Sequence, residues 1–300
     1  MFVWAEPDLN RRPLARKATL SIKSLRDFDW DAFKDSVYRR YSKSYAPTIM
    51  HYCKKYGHLL ETGNLGELEL VPATSRNNCI KGLIVLAKFL GVHEEFKSGL
   101  KSYGIKLSRP DAFSAFTRIY TNNNSNLDEW LAQVKPILRA EENLALTFLR
   151  ANGLRMSEGL TSFNMVISLS QEGRLSEYLN SEDGILEHFR YRKLFLRGTK
   201  NAFISIIPES LINEIKKSKP VTYNGIIKRL QRRHLPCRIG ELRDFYGTFM
   251  VKHGLVVQEV DLLCGRIPPS IFVRHYFSPA IKELRDRTLK ALEAMEKTNV

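Results

Sequence analysis

Three observations predict a mainly α protein with a small β-sheet, arranged as two domains. Apolar residues recur at helical spacing through most of the chain, in runs bounded by Gly, Pro and Asp. Strand character occurs in one region only, residues 186–208, around the turn "GTKN". The 300 residues, with 43% hydrophobic and 10% aromatic content, suffice for two buried cores.

Taken in order, residues 1–23 are basic, carry prolines and lack a helical period, so they read as an N-terminal arm. From Asp29 to Gly63 the pattern gives two helices broken near Ala46 and Pro47, with Asp29 as N-cap and Gly63 as stop. "SRNNCIKGLIVLAKFLG" and "HEEFKSGLKSYGI" add helices that end at Gly91 and Gly104 and complete an all-helical unit over residues 24–107. The polar stretch at Leu107 to Asp111 marks the domain boundary, and residues 111–300 form the larger domain. There helix resumes over residues 126–160. "LEHFRYRKLFLRG" and "AFISIIP" read as two strands of a hairpin. Five further helical segments follow, the last amphipathic with Ile281, Leu284, Leu289, Leu292 and Met295 on one face.

Charge narrows the partner. With 47 Lys and Arg against 32 Asp and Glu, the formal net charge is +15. Such an excess points to a polyanion, nucleic acid first, because every neutralised phosphate releases counterions. A membrane surface or simple solubility is the alternative. Lys34, Arg39, Arg40, Lys43, Lys54 and Lys55 alternate with Tyr38, Tyr41, Tyr45 and Tyr52. This mixture suits phosphate and sugar contacts, and equally a solvated helix face above an aromatic core.

Cys53, Cys79, Cys237 and Cys264 show no CxxC spacing, and the histidines no metal-ligand spacing. Neither a zinc knuckle, a disulfide framework nor any metal or cofactor is expected, and a reducing cytoplasm fits. No run approaches the roughly 20 apolar residues of a membrane span, and no signal-peptide pattern opens the chain.

The run "LLCGRIPPSIFVRHYFSP" surrounds one tyrosine, Tyr276, with cations. Cleaving a phosphodiester by nucleophilic attack takes a nucleophile, cations on the non-bridging oxygens and a proton donor for the leaving hydroxyl. Arginine suits the second role through its permanent, forked charge, and lysine the third, because neighbouring cations lower its pKa toward neutrality. In chain order the candidates are Arg155, Lys200, Arg243, Arg266 and Tyr276.

Their local contexts carry a resemblance. "NGLRMSEGL" resembles the first arginine box of the tyrosine recombinases, the phage-type integrases, with Arg155 and Glu158 matching. "GELRDFYGTFMVKHGL" resembles the second box, His-x-x-Arg. Arg243 matches, and Gly240 stands in place of the histidine. "DLLCGRIPPSIFVRHY" resembles the Leu-Leu-Gly-His segment and the following nucleophile, with Gly265 matching, Arg266 at the histidine position and Tyr276 ending the run. The wording is similar to integrases of archaeal viruses and plasmids, and the resemblance covers residues 111–285.

The resemblance implies a helical core-binding domain followed by a mixed α/β tyrosine-recombinase catalytic domain. It implies strand exchange on double-stranded DNA attachment sites by a homo-tetramer, without ATP, in the cytoplasm of the host cell. It implies that Tyr276 forms a 3′-phosphotyrosyl link, and that Arg155, Arg243 and Arg266 clamp the phosphate. Lys200 would protonate the 5′ oxygen, with Lys193 as the fallback, and Glu158 would orient the first turn. His234, Arg238, His275 or water would stand in for the absent box-two histidine. The closing helix either docks on a neighbouring protomer or packs on its own domain. "DLNRRP", Asp8 to Pro13, reads either as a basic tail or as a tRNA T-arm complement translated in frame, which would place the attachment site in a tRNA gene. Three rivals stay open: a type IB topoisomerase, a chromosome-dimer resolvase, against which Gly240 and Arg266 argue, and a catalytically silent DNA-binding protein.

Overall fold

The computed structural model describes residues 25–43, 45–107, 113, 116, 117, 120, 126–197, 200–267 and 280–297. The arm with Asp8 to Pro13, and the segment holding His275 and Tyr276, lie outside the described residues. The chain is mainly α-helical with a small antiparallel sheet. It divides into two compact units, Met1–Ile119 and Tyr120–Val300.

In the first unit the cap signals act as the sequence predicts. The Asp29 carboxylate accepts from the backbone N–H groups of Asp31 and Ala32, at 3.1 and 2.9 Å, and so starts α1 (Trp30–Arg40). Pro47 occupies the first turn of α2 (Ala46–Tyr56), where its missing N–H costs nothing. The short α3 (His58–Thr62) ends at Gly63, whose φ of 64° is left-handed. A 3-10 turn over Leu65–Leu70, not foreseen from the sequence, buries Leu65 and Leu68 three residues apart. It leads to α4 (Ala73–Phe89) and α5 (His93–Ser102).

Helices α2 and α4 meet at Gly82, where an added Cβ would stand 3.1 Å from the Tyr52 Cβ. The Cys53 thiol donates to the Gly82 carbonyl at 3.1 Å, and burial pushes that thiol up to about 12. The cations Lys34, Arg39, Arg40, Lys43, Lys54 and Lys55 are all exposed. Tyr41 meets Tyr45 edge-on at 5.9 Å, and Tyr52 stacks on Tyr56 at 6.2 Å. The face therefore combines solvated charge with partly packed rings.

In the second unit the helical run over residues 126–160 is three helices, not one. They are α6 (Asn126–Val134), α7 (Ala140–Asn152) and α8 (Met156–Gln171). The first break surrounds Pro136, and the second is Gly153 at φ 61°. Buried Leu146, Phe148, Leu149, Phe163, Val166 and Ile167 place α7 and α8 at the centre of the core.

The sheet is smaller than expected. β1 (Leu179–Asn180), β2 (Ile185–Leu186) and β5 (Ser205–Ile206) pair antiparallel in the order β1-β2-β5, with Leu179 opposite Leu186 and Ile185 opposite Ile206. A separate two-stranded ladder joins β3 (Leu196–Arg197) to β4 (Lys200–Asn201). The strand expected over residues 186–198 is instead a 3-10 turn at His188–Tyr191 and the short helix α9 (Arg192–Phe195) between two dipeptide strands. The reason lies in burial. A strand that buried Leu186 and His188 would by alternation also bury Arg190 and Arg192, both of which are exposed. The helical path buries His188 and Phe195, seven residues or about two turns apart.

His188 is fully buried. Its Nδ1 lies 2.6 Å from the Tyr178 hydroxyl and its Nε2 2.8 Å from Ser205 Oγ, while Tyr178 OH lies 2.8 Å from Ser162 Oγ. This chain of neutral groups ties β5 and the turn after β2 to α8.

The remaining helices are α10 (Glu209–Lys216), α11 (Tyr223–Gln231), α12 (Glu241–Lys252), α13 (Val257–Leu263) and α14 (Ile281–Lys297). In the single chain the closing helix packs on its own unit. Leu284, Thr288, Ala291, Leu292 and Met295 are buried, and Arg287 pairs with Glu259 of α13.

Candidate active site

The site begins where α7 stops. Asn152 accepts the Leu154 N–H on its side-chain oxygen at 2.8 Å, and left-handed Gly153 turns the chain with the Tyr246 ring of α12 against it. A Cβ on Gly153 would fall 2.3 Å from that ring, so only glycine lets the turn sit there. Leu154 is buried, and Arg155 then takes an extended conformation as the N-cap of α8.

Arg243 projects from the first turn of α12 and bridges two segments. Its Nη1 donates to the Gly153 carbonyl at 3.1 Å and its Nη2 to the Cys264 carbonyl at 2.8 Å. The first bond fastens the turn that presents Arg155. The second fastens the turn after α13 that presents Arg266. That second turn is a Schellman closure: the Gly265 N–H donates to Leu262 O at 2.9 Å, and the Arg266 N–H to Asp261 O at 2.7 Å. Arg266 itself is exposed and lies 3.6 Å from Asp261 Oδ1.

The hairpin β3–β4 closes the third side. Arg155 Nη1 donates to the Asn201 carbonyl at 3.4 Å, and the Gly265 backbone, at φ 70°, rests against Asn201. Lys200 precedes Asn201 and is exposed opposite Arg197 in the ladder, whereas Lys193 lies in α9. Glu158, almost wholly buried, sits between Arg155, 3.6 Å from its Oε2, and Arg197, 2.7 Å from its Oε1. Glu158 thus meets the first-turn arginine as expected, and also reaches the hairpin.

The electrostatics report the crowding. Burial first, then the charges of Arg155 and Arg266, pull the Arg243 guanidinium below its ordinary pKa, with Cys264 and Glu158 acting in the opposite sense. Burial raises the Cys264 thiol, against the pull of Arg243, Arg266 and Arg155. Arginine does not deprotonate under such a shift, so three fixed cations face one region. Guanidinium forks arranged in this way are chemically suited to an oxyanion such as phosphate.

Of the five residues named from the sequence, the structure brings Arg155, Arg243 and Arg266 together, with Lys200 on the adjoining hairpin. Tyr276 lies outside the described residues. Gly240 is the exposed N-cap of α12, and an added Cβ would meet nothing within 4 Å. Arg238 is engaged by Glu241 at 2.6 Å, and His234 closes α11 with φ 55°. Sequence reasoning missed Arg197. The available signal was its place three residues before Lys200, which it faces in the ladder. Cavities of about 260 and 410 Å³ in this unit are lined by other residues, Arg139 and Arg232 in the first, Leu131 and Met295 in the second. Among the described residues no group of three His, Cys, Asp or Glu side chains could hold a metal ion.

Gly265→Ala tests this assembly. Its Cβ would lie 1.8 Å from the Asn201 oxygen, at a φ that L residues rarely adopt. A loss of about 1–3 kcal/mol is expected, read as a lower urea midpoint, because the hairpin or the turn has to move.

The fold is mainly α with a small sheet, and it gathers Arg155 before α8, Arg243 in the first turn of α12 and Arg266 after α13 into one cationic cluster. Comparison with known families makes this specific. The family described as archaeal phage integrase matches residues 142–285, the span from α7 to the start of α14. Over that span, just under half of the chain, it is similar to the integrases of archaeal phages. A search of curated proteins gives no match. No helix among the described residues is long and apolar enough to cross a membrane.

Proposed function

We propose that the chain is a tyrosine recombinase that cuts and rejoins duplex DNA at specific sites through a 3′-phosphotyrosyl intermediate, integrating or excising a viral or plasmid element. The observation that carries this reading is the Arg243 guanidinium, which holds both the Arg155 and Arg266 turns. Arg155, Arg243 and Arg266 would grip the non-bridging oxygens and stabilise the charge that builds in the transition state. The Tyr276 oxygen would bond to phosphorus, giving up its proton to water, as the bond to the 5′ oxygen breaks, and Lys200 would supply the proton that oxygen takes up. The phosphodiester energy stays in the tyrosyl link, so no nucleotide is consumed. The exposed cations of the first unit would track the DNA backbone, and strand exchange would take place in a homo-tetramer on attachment sites, a tRNA gene being one setting.

A duplex nicked near the cleavage site traps the intermediate. Incubated with it, the protein is expected to form a covalent adduct, visible as a shifted band, and Tyr276→Phe is expected to form none. Adducts at every sequence would select a topoisomerase instead. No adduct on any DNA would leave a binding protein.

A further inference from the structure

We propose that Arg197 is a positioning residue for the proton donor Lys200: its ion pair with buried Glu158 seats the β3–β4 hairpin on the turn that carries Arg155. The inference rests on the recombinase reading above and adds to it a residue outside the arginine cluster.

Among the described residues the ladder consists of two residue pairs, Leu196 with Asn201 and Arg197 with Lys200, with no third strand. A two-stranded ribbon is marginal in water by itself, so its position depends on what it is fastened to. Asn201 supplies two footholds, its carbonyl accepting from Arg155 and its backbone meeting Gly265. Arg197 supplies the charged one. Its side chain is half exposed, yet Nη2 reaches a carboxylate 39 residues earlier in the chain whose side chain is 1% exposed. A carboxylate that far from water depends on its cations. The Arg197 backbone N–H also donates to Asn201 Oδ1 at 3.1 Å. Arg155, Glu158 and Arg197 form a continuous line from the phosphate clamp to the residue facing Lys200.

A proton donor acts only within hydrogen-bond reach of the atom that receives the proton, and a displacement near 1 Å can cost about a hundredfold. If Arg197 sets that distance, its removal should matter only while the leaving group needs a proton. Two nicked duplexes separate the cases, one with the ordinary 5′ bridging oxygen and one with sulfur there, which leaves as a thiolate unprotonated. On the oxygen duplex, Arg197→Ala is expected to slow adduct formation about ten- to a hundredfold. On the sulfur duplex it should return to within a few-fold of the parent. Lys200→Ala should behave alike, and Arg197→Lys, which keeps the charge, should recover part of the oxygen rate.

An Arg197→Ala protein as fast as the parent on oxygen overturns the proposal. One equally slow on both duplexes also overturns it and makes Arg197 a direct phosphate contact or a purely structural residue. If the parent forms no adduct on either duplex, the recombinase reading itself falls, and this inference with it.

Discussion

Arg243→Ala is expected to reduce adduct formation on the nicked duplex by about a thousandfold or more, the scale of losing a preorganised donor to transition-state charge. The same change should lower folding stability by about 3 kcal/mol, because two carbonyls, Gly153 O and Cys264 O, lose a charged donor together. Arg243→Lys is not expected to restore either property. An ammonium is a point charge and cannot span two carbonyls on different turns while also facing an anion. Adduct kinetics and urea unfolding of the three proteins check this. Near-parental cleavage by Arg243→Ala would remove the arginine clamp from the mechanism.

The second large effect is a loss of stability in acid. Burial pushes the His188 imidazole down to about 3 from its ordinary 6.5. The unfolded chain therefore binds a proton between these two values that the folded chain refuses. Stability contributed by neutral His188 is complete above pH 6.5 and is lost as the pH falls toward 3, at about 1.4 kcal/mol per pH unit and about 5 kcal/mol in total. Urea midpoints measured from pH 7.5 to 4 should fall accordingly. His188→Phe should flatten that slope while lowering the midpoint at pH 7.5, since Tyr178 and Ser205 each lose a partner. An unchanged slope in His188→Phe would assign the acid sensitivity to other groups.

Local chemistry made much of the fold legible beforehand. Asp29, Pro47 and Gly63 act at helix ends through their own side chains or backbone preferences, so a single sequence displays them. The arginine turns were legible for a similar reason, since Gly-Leu-Arg and the glycine before Arg266 encode left-handed turns. The strand expected over residues 186–198 does not form, because the spacing of its apolar residues leaves open where the intervening arginines must go. Arg190 and Arg192 need solvent, and a helical path grants it. Arg197 escaped notice because its partner, Glu158, lies on another helix, and ion pairs between distant segments leave no period in a sequence. Arg243 was legible as a cation, but its part in joining two turns through backbone carbonyls depends on folding alone.

The seating of α14 on its own unit also limits how far the tyrosine can travel. Ala280 is four residues beyond Tyr276, and even a fully stretched chain spans only about 14 Å over that interval. With Leu284 and Leu292 buried and Arg287 held by Glu259, the far end of this tether is fixed to the unit that bears the three arginines. Under the proposed mechanism the seated α14 fixes one end of the nucleophile's range, and release of that helix would widen it.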